Sequence, residues 1–160
     1  MKEQDITQKV REICARPEVV QRLGIGTKIG RWVKIPDSWA VAGDGKRFLP
    51  FKGTDLVWAT DCMEVKIVKA MTERGMTFHV EQLSEKQRDH LIQHDGLVAV
   101  GFILKGGKTD RRVSIVIFRY GLVAARKVTS WPRFDLEGLA VAMPDAVYVE
   151  KGPAYEVIAR

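Results

Sequence analysis

One stretch of the chain carries residues whose types and spacing suit hydrolysis of a phosphodiester: Gly53-Thr54-Asp55-Leu56-Val57-Trp58-Ala59-Thr60-Asp61-Cys62-Met63-Glu64-Val65-Lys66. An aspartate is followed, after eight intervening residues, by Glu-Val-Lys. Side chains alternate faces along a strand, so Glu64 and Lys66 project from one side and Val65 from the other. A hairpin turning at Thr60-Asp61 returns Asp55 beside Glu64. Two carboxylates and one ammonium then converge on a sheet edge. Mg²⁺ is a hard ion that takes oxygen ligands, commonly one or two carboxylates with water and substrate phosphate. Asp55 and Glu64 are the candidate metal ligands, the Val65 carbonyl is a further one, and Mn²⁺ is an acceptable substitute. Such an ion acidifies a water and neutralises charge developing at phosphorus, while Lys66 holds the water or stabilises that charge. A plainer description also fits, because alternating charge on a strand is commonly a solvated sheet face.

The elements that must position these residues follow from periodicity. Ile6, Val10, Ile13 and Cys14 fall on one face at helical spacing, which predicts a first helix. Pro17 opens a further turn or two, and Gly24 and Gly26 end the helical signal. The segment 26–50 is rich in Gly, Pro and Trp, with a strand expected over 29–35 and an exposed loop over 37–47. Two strands, 54–60 and 62–69, follow. Ser84 and Gln87 have the S-x-x-Q spacing of a capping box, predicting a second helix that ends at Gly96. Leu97-Val98-Ala99-Val100-Gly101-Phe102-Ile103-Leu104 is a continuous apolar run suited to an interior strand covered on both faces. Gly106-Gly107 turns the chain into a strand over 113–119, and 135–141 reads as a short final helix. Helices and strands in this order make a mixed α/β domain, with helices packed on a central sheet.

The bulk numbers bound the class. At 160 residues the chain has the length of one domain, 1–160, able to bury a core without staples. It is 46% hydrophobic and 29% charged with a formal net charge of +6, a globular composition that favours a polyanionic partner. Cys14 and Cys62 form no C-x-x-C pair and read as two buried thiols. There is no apolar run of membrane-span length, and Met1-Lys2-Glu3-Gln4-Asp5 is too polar for a secretory signal. A cytoplasmic protein with no membrane partner, in a prokaryotic or virus-infected prokaryotic cell, is the expectation.

From Trp32 to Phe102 the chain resembles the PD-(D/E)xK nuclease superfamily, and within it the RecU-type and archaeal Hjc-type Holliday-junction resolvases, phage-encoded relatives included. The resemblance rests on Trp32-Val33-Lys34-Ile35-Pro36-Asp37-Ser38, Lys46-Arg47-Phe48-Leu49-Pro50, Gly53-Thr54-Asp55-Leu56, Met63-Glu64-Val65-Lys66, Phe78 and the helix bearing Glu85-Lys86-Gln87. Thr54 stands where the motif's name has proline, and the segment between Ser38 and Asp55 is too short for the long stalk of RecU-type enzymes. The resemblance implies a restriction-endonuclease-like fold, a central mixed sheet flanked by helices. It implies Asp55 and Glu64 as metal carboxylates, Lys66 as the catalytic lysine, and Gln87 as the helix residue that positions water or phosphate. Glu12 is the candidate for a first-helix acid that completes some such sites. An exposed helix charge is the equal alternative for Glu12, and the capping box is the alternative for Gln87.

The remaining candidates concern binding. Lys34, Lys46, Arg47, Arg111 and Arg112 are expected to contact phosphates, within a basic excess over 104–133 and 28–47, and Phe48 is the aromatic expected to touch DNA. Trp32, Trp39, Trp58 and Trp131 read as core or interface anchors. His90 and His94 stand at i, i+4, but without a third ligand at suitable spacing they read as a polar helix face. The resulting expectation is an endonuclease making paired, symmetrical incisions in four-way DNA junctions. Two cuts require two active sites and hence a homodimer, with Trp131-Pro132 and the first helix as candidate surfaces. The alternatives are another nuclease of the same superfamily, or a basic DNA-binding module without catalysis.

Overall fold

Ile6, Val10, Ile13 and Cys14 make one stripe of α1 (Glu3–Cys14), and all four are buried. The helix is amphipathic and gains its stability by laying that stripe on a sheet. Gly101 makes the close approach possible, since a Cβ there would stand 2.9 Å from a methyl carbon of Ile6. α2 (Pro17–Leu23) begins with proline, whose missing N–H costs nothing at a helix start, and stops at Gly24 in the left-handed region at φ 63°. In the computed structural model, residues 1–25, 33–34, 56–58, 61–106, 109–143, 146–150 and 155–158 are described.

Among the described residues the sheet has seven strands: β1 (Val33–Lys34), β2 (Leu56–Trp58), β3 (Asp61–Ala70), β5 (Leu97–Gly106), β6 (Thr109–Arg119), β8 (Ala146–Glu150) and β9 (Glu156–Ile158), adjacent in that order. β3 and β5 run parallel and the other neighbours antiparallel, so the sheet is mixed. β4 (Thr77–His79) and β7 (Ser130–Pro132) form a separate two-stranded ribbon. The crossover from β3 to β5 carries α3 (Glu85–Gln93); α4 (Tyr120–Ala124) and α5 (Arg133–Ala142) come later.

Alternation along the strands divides the core in two. Met63, Val65, Leu97, Ala99, Ile115 and Val147 pack with α1 and α2 on one face. Cys62, Val68, Val98, Val100, Phe102 and Phe118 pack on the other, with Leu91 of α3, Val123 of α4, Leu136 of α5 and the ribbon residues Phe78 and Trp131. β5 is the middle strand and is buried on both sides from Leu97 to Ile103, as expected of a continuous apolar run. The chain is thus mixed α/β, a central mixed sheet flanked by helices, compatible with a restriction-endonuclease-like core. Among the described residues, no helix is long and apolar enough to cross a membrane.

Several details depart from the periodicity. Asp61, expected in a tight turn, already belongs to β3 and pairs with Trp58. The final helix starts two residues earlier than expected, at Arg133. Its guanidinium is almost wholly buried, 2.7 Å from Glu73 and 3.4 Å from Glu137, and Glu137 accepts from Ser114. Trp131 is 8% exposed within the core, so it offers little area to a second copy. Of the strand expected at 29–35 only β1 is described, and the loop 37–47, with Trp32 and Trp39, lies outside the described residues.

One side chain ties α2 to the far end of the chain. Arg22 donates from Nε to the Ala146 carbonyl at 2.6 Å and from Nη2 to the Ala140, Val141 and Met143 carbonyls at 3.0, 3.1 and 3.1 Å. The Ala140, Val141 and Met143 carbonyls lie at the C-terminal end of α5, where carbonyls lack helical partners and the helix dipole favours a cation, and Ala146 opens β8. Replacing Arg22 by Met is therefore expected to cost about 2–3 kcal/mol, since hydrogen bonds to charged groups contribute about 1.5–3 kcal/mol. Urea unfolding checks it: a midpoint shift below a tenth of the wild-type value would show that water satisfies those carbonyls equally well.

Candidate active site

The site is built from one strand and one helix. Along β3, Cys62 and Val68 belong to the core on the α3 side, and Met63 and Val65 to the core on the α1 side. Alternation therefore directs Glu64 and Lys66 towards α3. The Glu64 side chain is 3% exposed and that of Lys66 is 21% exposed, with Lys66 Nζ 3.2 Å from Glu64 Oε1. In register, Glu64 lies beside Val98 and Lys66 beside Val100 of β5. A carboxylate set among valines loses hydration, and ionic or hydrogen-bonding partners must compensate.

The helix supplies the second partner. Ser84 is the N-cap of α3: its Oγ accepts from the Gln87 backbone N–H at 3.2 Å, and its own N–H donates to Gln87 Oε1 at 2.9 Å. With that oxygen used by the cap, the Gln87 amide nitrogen faces the sheet and donates to Glu64 Oε1 at 2.7 Å. The cap and the contact with Glu64 are thus made by opposite ends of one amide, and the network sets the amide's orientation. Close packing seats α3 over β3. A Cβ on Gly96 would stand 2.6 Å from Leu91 Cδ2 and 2.9 Å from Cys62 Sγ, so glycine lets β5 start directly beneath the helix.

The structure brings together three of the predicted residues, Glu64, Lys66 and Gln87. Val65 lies in the β3–β5 ladder opposite Ala99, with its side chain in the core shared with α1. Glu12 is not part of the group. It sits on α1, which packs on the opposite sheet face, and its exposed carboxylate accepts from Gln8 at 3.2 Å and Lys9 at 2.9 Å. These contacts hold its pKa below the usual carboxylate value, the Lys9 hydrogen bond contributing most. Arg112 pairs with Glu150 at 2.6 Å. Val98, beside Glu64, is opposite Phe118 of β6, and Arg112 lies six residues from Phe118 on that strand, roughly 20 Å away. Asp55, Lys46, Arg47 and Phe48 lie outside the described residues, as do the side chains of Lys34 and Arg111.

Ser84 is the neighbour of this cluster that sequence reasoning did not place beside Glu64. Its signal was visible as a capping box, but only the packing of α3 on β3 connects that cap to Glu64.

Comparison of the chain with known protein families, curated proteins and solved structures finds no match.

Among the described residues, no group of three or more His, Cys, Asp or Glu side chains is placed to hold a metal. Glu64 is the carboxylate that they bring to the cluster. Its oxygen chemistry suits a hard divalent ion, which commonly takes one or two carboxylates and completes its shell with water and phosphate. Asp55, the sequence's candidate for a second carboxylate ligand, lies outside the described residues.

Proposed function

We propose that the chain is a Mg²⁺-dependent DNA endonuclease acting on branched DNA, with Glu64, Lys66 and Gln87 in its active centre and four-way junctions as its substrate. The observation that carries the reading is the cluster on β3: a buried carboxylate with an ammonium 3.2 Å away and an orienting amide 2.7 Å away. A net charge of +6 supports a polyanionic substrate, and the resemblance to the PD-(D/E)xK superfamily supports the chemistry.

The residues divide the work. Glu64 and Asp55 would hold the ion, with the Val65 carbonyl as a further ligand. Asp55 directly precedes Leu56, whose partner Met63 directly precedes Glu64, and this supports pairing the two carboxylates. The ion, when bound, acidifies the attacking water and neutralises charge at the phosphate. Lys66, partly open to solvent, orients that water or stabilises negative charge on the phosphate oxygens. Gln87 holds Glu64 in one orientation, so that its carboxylate is already aimed before substrate arrives. Lys34, Lys46, Arg47, Phe48, Arg111 and Arg112 are proposed contacts to the DNA, and paired incision calls for a homodimer.

The test uses the purified chain with a labelled four-way junction and a matching linear duplex, each in Mg²⁺, Mn²⁺ or EDTA. Paired nicks in the junction alone, dependent on the divalent ion, are expected. Equal cutting of linear duplex would keep the chemistry and discard the junction. Tight binding without cutting would discard the enzyme in favour of a non-catalytic DNA-binding module.

A further inference from the structure

α3 ends in a pair of histidines, one turn and two turns beyond Gln87. His90 lies in the last turn and His94 is the C-cap, its backbone N–H donating to the His90 carbonyl at 3.0 Å. The i, i+4 spacing puts both rings on one helix face, and their centroids are 4.4 Å apart with the planes inclined by 49°. Two imidazoles sharing one ion through metal–nitrogen bonds of about 2.0–2.1 Å have centroids roughly 5 Å apart. The observed separation is shorter, so the rings must part for an ion to sit between their nitrogens. His90 is half-buried, with its Nε2 shielded from solvent, and His94 is exposed, so the pair is reached from the His94 side.

We propose that His90 and His94 form a site for a borderline-soft divalent ion, Zn²⁺ or Ni²⁺, with water completing the coordination. The end of a helix favours positive charge, because its last carbonyls lack helical partners. Asp95, immediately after His94, adds a negative charge to the same end. Metal binding requires neutral imidazole. Imidazole nitrogen selects transition ions over Mg²⁺, and the Irving–Williams order governs the choice among them. The spacing matches the two-histidine part of helical zinc motifs, but two protein ligands make a weaker, exchangeable site.

The experiment is titration of the metal-stripped full chain with ZnCl₂ and with NiCl₂, read by calorimetry and by histidine ring resonances in NMR. The His90 and His94 signals are expected to move together with one binding curve, and those of His79 to stay unmoved. His79 lies elsewhere, with its Nδ1 3.0 Å from Ser130 Oγ. His94→Gln alters an exposed side chain and should weaken the binding read at the His90 ring at least ten-fold, while His79→Gln should leave it unchanged. Absence of binding at submillimolar Zn²⁺, or undiminished affinity in His94→Gln, would overturn the site. Loss of binding in Glu64→Gln would also overturn it, placing the ion at the carboxylate. The Mg²⁺-dependent cleavage assay is a separate readout, so either proposal can fail alone.

Discussion

Replacing Glu64 by glutamine is expected to lower Mg²⁺-dependent junction cleavage by roughly a thousand-fold while leaving the fold as stable as before, or more so. The rate loss is of the size seen when one electrostatic element of a reaction centre is removed. The stability argument rests on burial: the Glu64 side chain is 3% exposed, and taking a charge out of water costs several kcal/mol, only partly returned by its partners. Glutamine keeps an oxygen that can accept from the Gln87 amide and the Lys66 ammonium, so the local geometry survives without the desolvated charge. Lys66 is 21% exposed and can turn its ammonium to water. A higher melting temperature with lost turnover is what a carboxylate retained for chemistry predicts, since catalytic sites commonly trade stability for activity. Single-turnover cleavage and calorimetry on the same preparation decide it. Turnover within about ten-fold of wild type would reduce Glu64 to a structural partner of Lys66.

Gln87→Glu separates the two jobs of one side chain. Glutamate at the third helical position is as good a capping-box residue as glutamine, so the start of α3 is preserved. What changes is the group facing Glu64, where an amide donor at 2.7 Å gives way to a second carboxylate. Like charges so close cannot both ionise at ordinary cost, and the pair must take up a proton. We expect a loss of about 2–3 kcal/mol at neutral pH, comparable with a buried polar group losing its partner.

The sign follows from linkage. The pair's folded pKa is raised, so the folded state binds more protons, and stability is full below the unfolded carboxylate pKa and falls as pH rises through the raised value. The variant should therefore approach wild-type stability in acid and lose it towards neutrality. Added Mg²⁺ or Mn²⁺ should recover part of the loss by binding the folded state's paired carboxylates. Urea midpoints across pH, with and without the ion, give the readout. A pH-independent loss would mean that the damage lies in the cap, and that Gln87 does not face a charged Glu64.

Much of the architecture was legible because it depends on local pattern. The stripe of Ile6, Val10, Ile13 and Cys14 defines a helix face whatever it packs against. The unbroken run 97–104 requires cover on both sides and became the middle strand. Serine three residues before glutamine marked the start of α3, and strand alternation alone put Glu64 and Lys66 on one side.

Other features depend on partners distant in sequence. β8 is a short strand whose place is set by β6, β9 a shorter one set by β8, and the β4–β7 ribbon joins Phe78 to Trp131 across the chain. Those pairings have no local signature. Glu12 shows the same limit. Its spacing on α1 was compatible with a site acid, but α1 packs by its apolar stripe on the sheet face away from Glu64. The cap residue Ser84 shows the converse, a local motif whose contact with Glu64 through Gln87 appears only when Leu91, Gly96 and Cys62 seat α3 on β3. The sequence by itself determined which residues could do the chemistry and which face of their strand they share, because those follow from residue type and a two-residue period. Only the tertiary structure decided which of them meet, because the layer to which a helix packs is set by the whole buried surface and not by the residues that it carries.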